Sequence, residues 1–554
     1  MSDAKKIYGI DLGTTYSCIA CLDTHGKPVV LKNSEGDLTT PSVVFFDEGD
    51  NVVIGKTAKE NSKMYPDAVV SFVKRSMGDP NYLFGYQGKT YRAEEISAYI
   101  LKKLVADAEQ EAGEKITDVV ITCPAYFGIN EKEATAKAGE IAGLKVHSIL
   151  AEPTAAAIAW GKANDENKVV LVYDLGGGTF DITMIEVSNK KIEVIVTGGD
   201  HNLGGKDWDD ALIGYFADQY RQQSGKQDNI LAELDTYQEL QNLAENSKKT
   251  LSAREKCPAS FIGGGAKIKT ELTREKFNEI TADLLERTIS LTRDMLAEAA
   301  KKGFKKFDEI LLVGGSTKMP QVGERLKKEF SVPINSFDPD EAVAKGAAIF
   351  GNDLMVNGEL KKAIAEATGK KAEDIKDVSQ VDAAVMEKAA QKVAGNLGFS
   401  VDAVKGAGKT ITNVISKSFG TDVYDNKGNK SVCNLILKNT SLPCEASDEF
   451  CTSVNNQKTV LVEILENEIG EKNVPWDENL NILIGQAVLD IPPNMPAGSP
   501  LRVTFKLSED GRLDMEAVEL SQNGKIHLTI QTSSVINAEE LAEAKLRSCN
   551  MKVS

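Results

Sequence analysis

The chain has 554 residues, of which 42% are hydrophobic and 27% charged. At about 150 residues per domain this length suggests three or four globular units, and the mixed composition excludes long disorder. The 65 Lys and Arg against 82 Asp and Glu give a net charge of −17, which disfavours binding to nucleic acid and to anionic membranes. Because no apolar run reaches the about 20 residues of a membrane span and the start shows no signal-like region, we expect a cytoplasmic protein with reduced thiols.

Two similar motifs lie far apart in the first part of the chain. Residues 10–15 (IDLGTT) and 174–179 (DLGGGT) each follow an apolar run and precede a second predicted strand, at 16–22 and 180–186. Such a repeat predicts two homologous halves. A third Gly-rich turn follows the apolar run 310–313. Helical patterns at 93–112, 131–142 and 275–302 alternate with these strands, so we expect an α/β architecture as far as about residue 350.

From about residue 413 the pattern changes to short alternating segments. These predict strands at 431–439, 458–466, 501–507, 512–518 and 525–531, with turns between them at 427–428, 492–493, 510–511 and 523–524. The Ala- and Lys-rich stretch 358–403 predicts a helical insert, in which Ser379 and Asp382 form a capping box for a helix at 383–394. Near the end, Asn537 with Glu540 predicts one more capped helix.

The two similar Gly-rich turns, at 10–15 and 174–179, contain residue types that could bind phosphate. A Gly-rich turn with hydroxyl side chains lets backbone N–H groups approach phosphate oxygens, because no Cβ intervenes. If the two halves face each other, Asp11 and Asp174 meet in one cleft and suit Mg²⁺ on a triphosphate. The alternative is that both are ordinary hairpin turns. The third turn, at Gly314 and Gly315, lies at a predicted strand-to-helix junction, where a nucleoside could bind. This favours a phosphate site over ordinary hairpin turns.

Other patterns are better explained without a ligand. Cys18 and Cys21 lie three residues apart in a strand pattern, where side chains point to opposite faces, so we interpret them as structural. Gly408-Lys409-Thr410 imitates the end of a P-loop but lacks the preceding strand. The four histidines are dispersed and fit no ligand spacing.

At its motifs the sequence resembles the DnaK-type, seventy-kilodalton heat-shock chaperones. The resemblance rests on the two turns, on residues 152–157 (EPTAAA) and on residues 338–344 (DPDEAVA), and it covers 5–353 densely and 413–531 more loosely. It implies an α/β two-lobed, actin-like ATPase domain at 1–353 and an all-β sandwich that binds peptides at 413–535. The other predicted units are the helical insert 354–405, a linker 406–412 and a short C-terminal helix at 536–554, without the helical lid of most members.

The resemblance also implies functional residues. The catalytic set would be Lys74, Glu152, Asp181, Asp11, Asp174 and Thr179, with Asp11 and Asp174 as the metal ligands for Mg²⁺. The ATP or ADP contacts would be Gly13, Thr14, Thr15, Tyr16, Lys74, Gly176, Gly177, Gly178, Thr179, Gly205, Glu245, Lys248, Ser252, Gly314, Gly315, Ser316, Lys318 and Asp340. The peptide contacts would be Phe450, Ser453, Val460 and Val462, although period two leaves a sandwich-core position equally open for both valines. K⁺ is a further candidate ion.

Several positions depart from the family. Lys318 stands where members usually have an Arg that stacks on the base, and Lys lacks the planar guanidinium, which predicts weaker or faster-exchanging nucleotide. Lys132 replaces an Arg of the family's lobe-to-lobe relay. Ser148 and Ala151 replace an Arg and an Asn used in J-domain docking, so a J-domain partner stays open.

The linker supplies Ile411 where the family has three or four large apolar residues, which predicts weak coupling between the domains. Val385, Val393 and Leu397 of the insert could replace that contact. The resemblance predicts a monomeric ATP-dependent chaperone that hydrolyses ATP, binds unfolded or extended polypeptides and works with a nucleotide-exchange factor. The alternative is a nucleotide-holding scaffold with little turnover.

Overall fold

A computed structural model describes residues 6–164, 167–188, 191–375, 378, 381–407, 410–425, 427–508, 511–521, 525–529 and 536–554. The α-helices in this part of the chain are Lys56–Asn61, Ala93–Ala112, Ile129–Ile141, Glu152–Ala163, Gly205–Ser224, Leu234–Ala253, Arg274–Ile280, Ala282–Lys301, Pro320–Glu329, Ala342–Thr368, Ala383–Leu397, Val401–Lys405 and Ala538–Asn550. Among these described helices, none combines the length and the apolar character that crossing a bilayer requires.

The first and second sheets repeat one topology. In spatial order the first sheet contains Lys145–Ala151, Asp118–Cys123, Tyr8–Asp11, Tyr16–Leu22 and Pro28–Val30, with Thr40–Pro41 also paired to Tyr16–Leu22. The second contains Ile334–Ser336, Glu309–Val313, Lys168–Leu175, Phe180–Val187, Lys191–Asp200 and Thr410–Thr412. In each sheet the strand before the Gly-rich turn pairs parallel with one neighbour and antiparallel with the strand after the turn. The predicted repeat is confirmed.

The helices Glu152–Ala163 and Ala342–Thr368 lie between the two sheets. They share an apolar cluster with residues from both sheets. Ala155, Ala156 and Ala157 are fully buried there, because small side chains let helices and sheets approach closely. This layer holds the two Gly-rich turns at fixed positions on either side of the cleft.

Smaller elements complete the first part of the chain. The strands Val43–Phe46, Asn51–Ile54 and Val69–Ser71 form one sheet, and the hairpins are Phe84–Tyr86 with Lys89–Tyr91 and Lys256–Gly263 with Ala266–Thr273. The predicted helix 275–302 is wrong in one respect, since it is interrupted at Thr281. The Thr281 hydroxyl donates to the carbonyl of Phe277 at 2.8 Å, and the residue has φ −113° and ψ 8°. Competition from a side-chain hydroxyl for a backbone carbonyl disfavours a continuous helix.

The helical insert continues a helix that begins before it, and its predicted capping box differs from the one observed. Helix Ala342–Thr368 runs through residue 353, where the sequence predicts the ATPase domain to end. The predicted capping box is also wrong, because Asp382 itself caps helix Ala383–Leu397 by accepting from the N–H of Ala384 at 2.9 Å. Ser379 lies outside the described residues. Val393 and Leu397 are buried against helix Ala342–Thr368, in a cluster that also includes Ala407 of the linker.

Two further sheets pack on each other from residue 418 onwards. One contains Asn473–Pro475, Lys430–Ile436, Ser418–Tyr424, Thr459–Asn467 and Ile482–Asp490, and the other Cys444–Cys451, Pro500–Leu507, Leu513–Glu519 and Lys525–Thr529. Ile464, Phe505 and Met515 are fully buried between them. The alternating pattern predicted five of these strands but missed Ser418–Tyr424, Cys444–Cys451, Asn473–Pro475 and Ile482–Asp490. Residues 510, 523–524 and 530–535 lie outside the described part.

Both ends of this β module are attached to the first part of the chain. The linker strand Thr410–Thr412 pairs parallel with Lys191–Asp200, with Ile411 opposite Ile192, and Gly408 and Lys409 lie outside the described residues. The prediction of weak coupling considered apolar side chains and missed this backbone pairing. Helix Ala538–Asn550 begins at Asn537 with the predicted capping box. It packs on helices Ala93–Ala112 and Ile129–Ile141, and Lys552–Val553 then pairs parallel with Asn51–Ile54.

Candidate active site

The two Gly-rich turns meet across a cleft between the first and second sheets. A Cβ placed on Gly178 would lie 2.5 Å from Cγ2 of Thr14, and one on Gly177 would lie 2.3 Å from Oγ1 of Thr15. No side chain fits at such distances, so glycine is required where the turns approach each other. An isolated hairpin turn does not need this contact, and the alternative of turn chemistry alone leaves it unexplained.

A cavity of about 460 Å³ opens beside this contact. That volume is within the usual range for small-molecule sites. Its lining includes these predicted site residues: Asp11, Gly13, Thr14, Thr15, Tyr16, Lys74, Glu152, Asp174, Gly176, Gly177, Thr179, Glu245, Lys248, Ser252, Gly314, Gly315, Ser316, Lys318 and Asp340. Gly178 lies behind Thr14, and Gly205 lies behind Lys248 and Ser316.

Lys74 lies among buried carboxylates at one end of the cavity. It is 5% exposed, and its Nζ donates to Oε1 of Glu152 at 2.5 Å. Asp11 and Asp174 occupy corresponding strand ends of the two sheets. Asp181, at the start of the strand that follows the second turn, accepts a hydrogen bond from the N–H of Tyr126 at 3.2 Å. Its Oδ2 is buried and has no hydrogen-bond partner among the residues that the structure describes.

The electrostatics of this group favour a bound cation. Burial and the nearby Glu152 raise the pKa of Asp11 to about 7 and that of Asp181 to about 8. Burial, Glu152 and Asp181 also hold the pKa of Asp174 well above its usual value. Although burial acts in the opposite direction, Glu152 and Asp11 raise the pKa of Lys74, which keeps it charged. A cation bound beside them would lower these raised pKa values and favour the ionised carboxylates at neutral pH.

This donor set fits a Mg²⁺ ion that is bound together with a polyphosphate. Among the described residues, no three acidic, His or Cys side chains converge as a complete set of metal ligands. Mg²⁺ usually keeps several waters and uses one or two carboxylates together with phosphate oxygens. Asp11 and Asp174 would hold it in this way, and Asp181, which does not line the cavity, would add a carboxylate beside its cross-strand neighbour Asp174.

The other end of the cavity is lined by helix Leu234–Ala253. Lys248 donates to the carbonyl of Gly205 at 2.7 Å and forms an ion pair with Asp209 at 2.7 Å. Glu245 binds Lys59 across the cleft and Lys249 on its own helix. Although burial acts in the opposite direction, these two lysines lower the pKa of Glu245 to about 2. The helix thus ties the second half to the first at the mouth of the cleft.

Lys318 forms an ion pair with Asp340. Half of the Lys318 side chain is exposed, and both residues line the cavity. A flexible ammonium in this position can pair with a carboxylate but offers no planar surface for a base. Lys318 therefore contributes to this wall of the cavity a cation that pairs with Asp340 and no surface for stacking.

Sequence reasoning missed several residues of this site. Asp209 forms an ion pair with Lys248, and Lys59 forms one with Glu245. Arg75 donates to the carbonyl of Gly178 at 2.7 Å. Lys249 contacts Glu245 and the ring of Tyr16. These residues stand in no Gly-rich motif. Asp209 alone had a signal, because it lies one helical turn after Gly205 on the helix that backs the second Gly-rich turn.

The predicted peptide contacts lie on neighbouring parts of the β module. Val462 is 4% exposed and belongs to the sandwich core, and Val460 and Phe450 are half-buried against that core. Ser453 is exposed. Between the valines, Leu461 is 49% exposed, as the period of a strand requires. The core interpretation therefore holds for Val462, while Val460 stays a candidate for the pocket.

The sequence matches one known protein family over almost its whole length. A family model described as Hsp70 protein matches residues 7–83, 79–365 and 358–553. The matched segments include both halves of the cleft, the helical insert and the β module. The chain therefore belongs to the Hsp70 family.

Proposed function

We propose that this protein is a DnaK-type chaperone that hydrolyses ATP in an actin-like domain at 1–353 and binds extended apolar polypeptide in the sandwich at 413–535. Hsp70 family membership implies an ATP-dependent chaperone with ATPase activity, which uses ATP or ADP with Mg²⁺ and works on unfolded polypeptides with co-chaperones. The observation that carries the finer proposal is the group of buried carboxylates around Lys74, placed where the two Gly-rich turns meet.

The geometry suggests distinct roles for the residues of the cleft. Bound Mg²⁺ would neutralise charge on the phosphates, and Asp11 and Asp174 would hold it. Lys74 places a buried ammonium where it can neutralise charge that develops on the terminal phosphate. Glu152 and Asp181 can accept a proton from an attacking water, since both carboxylates lie beside Lys74. At the far end, Glu245, Lys248 and Ser252 would bind the adenosine.

Several parts of the proposal concern partners and organisation. The insert 354–405, the linker 406–412 and the short helix at 536–554 are the proposed additional units. We propose a cytoplasmic monomer with a nucleotide-exchange factor, with a J-domain partner and K⁺ left open. The net charge of −17 disfavours nucleic acid and membrane partners. Family membership does not favour the scaffold alternative.

Steady-state ATP hydrolysis with and without an apolar peptide tests the proposal. We expect slow Mg²⁺-dependent turnover that peptide accelerates. A matched reaction with a charged, non-apolar peptide of the same length controls for ionic effects. Mg-ATP binding without any turnover would reject the enzyme and favour a nucleotide-holding scaffold.

A further inference from the structure

One strand of the ATPase domain is paired on its outer side by residues from the far end of the chain. Strand Asn51–Ile54, here called the edge strand, pairs in parallel with Lys552–Val553. The N–H of Ser554 donates to the carbonyl of Val52 at 3.0 Å, and the N–H of Ile54 donates to the carbonyl of Ser554 at 2.8 Å. Without this partner the edge strand would end its sheet with a row of unpaired backbone groups.

The paired segment 551–554 is held by its backbone and by two apolar side chains. Met551 and Val553 are half-buried and pack against the cluster that contains the edge strand's own buried residues, whereas Lys552 and Ser554 are exposed. Among the described residues, no side chain of this segment makes a hydrogen bond or an ion pair. In strand addition, main-chain hydrogen bonds give affinity and alternate side chains give specificity. The edge strand therefore selects an extended backbone with apolar residues at every second position, and not one particular sequence.

The charge beside the edge strand adds a second preference. Residues 47–50, which lead into the edge strand, contribute three carboxylates. Asp50 forms an ion pair with Lys89 at 2.9 Å, and the other two have no ion-pair partner among the described residues. Lys552 lies beside this acidic turn, since its N–H donates to the carbonyl of Asp50 at 2.9 Å. Charge complementarity thus favours a basic residue between the two apolar ones.

The segment 551–554 can leave the edge strand while the helix before it stays in place. Helix Ala538–Asn550 has attachments of its own, because Arg547 forms an ion pair with Glu95 at 2.7 Å. Ala544 of the same helix is buried in an apolar cluster with residues of the ATPase domain. Only two residues of the segment are paired as a strand. Another polypeptide can therefore compete for the edge strand without unfolding either domain.

We propose that the edge strand Asn51–Ile54 is a binding site for extended polypeptide segments with apolar residues at alternate positions and a basic residue between them. Residues 551–554 occupy this site in cis, and a segment of this pattern in another, unfolded polypeptide occupies it in trans. The inference goes beyond the proposed function, because no residue of the edge strand lines the nucleotide cavity or belongs to the sandwich.

The first test measures binding in trans to a shortened variant that lacks residues 551–554. The probe is a fluorescent peptide with the sequence of residues 550–554. In anisotropy titrations we expect the shortened variant to bind it at least tenfold more tightly than wild type, in which the segment competes at an effective concentration of about millimolar. Equal affinities would overturn the inference.

Two further proteins control this comparison. The full chain with Met551→Ser and Val553→Ser loses both apolar contacts, and it should bind the probe like the shortened variant if that variant melts early. Leu546→Ser changes a side chain that is 66% exposed on the preceding helix, so it should behave like wild type. In the shortened variant the amide hydrogen of Ile54 should exchange about tenfold faster than in wild type, and saturating probe should restore slow exchange. Fast exchange that persists with bound probe would place the probe elsewhere and overturn the inference.

Two N-methylated probes separate strand addition from unspecific apolar contact. The N–H groups of Lys552 and Ser554 point towards the edge strand, so that of Val553 between them points away. Methylation of the nitrogen at the Ser554 position should weaken binding to the shortened variant at least tenfold. The same change at the Val553 position should alter the affinity less than threefold. Equal effects of the two methyl groups would refute backbone pairing.

The last controls separate this site from the sandwich and from a second copy of the chain. Val460→Phe in the shortened variant should leave probe binding unchanged, and a loss of binding would assign the probe to the sandwich and reject the edge strand. A probe with Ser at both apolar positions should not bind. Wild-type dimers that disappear when residues 551–554 are removed would assign the edge strand to a second copy and overturn the inference. A protein without ATP turnover would reject the proposed function, while all these binding measurements would still decide the role of the edge strand.

Discussion

Replacement of Lys74 by Ala removes the ammonium that sits among the buried carboxylates. Breaking a buried ion pair by removing one partner costs about 3–5 kcal/mol, and the partner here is Glu152 at 2.5 Å. At about 2–4 °C per kcal/mol, the metal-free variant should melt roughly 6–20 °C below wild type. The loss should be larger at pH 8.5 than at pH 6, because the raised pKa values of about 7 for Asp11 and about 8 for Asp181 let these groups take up protons at the lower pH.

The same substitution should suppress catalysis without abolishing binding. Loss of one preorganised charge facing the transition state costs on the order of 3–4 kcal/mol, or about 10²–10³ in rate. Single-turnover phosphate release measures the rate, and titration with a fluorescent ATP analogue measures binding. Lys301→Ala is the control, since the exposed Lys301 binds Glu298 at 2.6 Å on the surface. Wild-type turnover in Lys74→Ala, or equal melting temperatures at pH 8.5, would refute the reasoning.

Three further predictions concern the Mg²⁺ site, binding of the nucleotide base and the peptide site. Since the folded pKa of Asp11 lies above its usual value of 3.8, the native state binds more protons between about pH 4 and 7, and the stability of the metal-free protein should fall as the pH rises through that window, by up to about 1.4 kcal/mol per pH unit for this group. Thermal melts at several pH values should show a flatter dependence with excess Mg²⁺ or in Asp11→Asn, and equal slopes would contradict the assignment. Lys318→Arg should slow the release of fluorescent ADP severalfold, because a guanidinium can stack on the base, and an unchanged rate would place Lys318 away from it. Val460→Phe should weaken binding of an apolar peptide in anisotropy titrations with a small change in melting temperature, whereas a large drop in melting temperature at unchanged affinity would assign this valine to the core.

The sequence predicted the cleft well because local rules determine it. Gly-rich turns after apolar strands require the same backbone chemistry wherever they occur, so residues such as Gly177 and Thr14 could be identified from their motifs. Strand alternation likewise predicted the sandwich. The helix interruption at Thr281 and the cap at Asp382 were missed because a Ser, Thr or Asp side chain can serve more than one neighbouring position.

The contacts between distant segments could not be predicted in this way. The N–H of Ile129 donates to Glu466 at 3.2 Å, although the two residues are 337 positions apart and no periodicity connects them. The linker pairs through its backbone, which any sequence without proline can do, so counting apolar side chains at Ile411 was uninformative. Lys59 and Glu245, which form an ion pair, are likewise far apart in the sequence. Such contacts depend on how folded units pack against each other, and the identity of a single residue predicts little of that packing.

The two attachments of the sandwich have a mechanical consequence. Its leading strand, Thr410–Thr412, joins the second sheet, while Lys552–Val553 and the Arg547–Glu95 ion pair at 2.7 Å join the segment to the side that contains the first sheet. The β module is thus attached to both halves of the first part of the chain. If one attachment opens, the other keeps the released end nearby, and reattachment becomes an intramolecular event at an effective concentration of about millimolar. Opening of one end alone would therefore be reversible, while complete separation would require both attachments to open together.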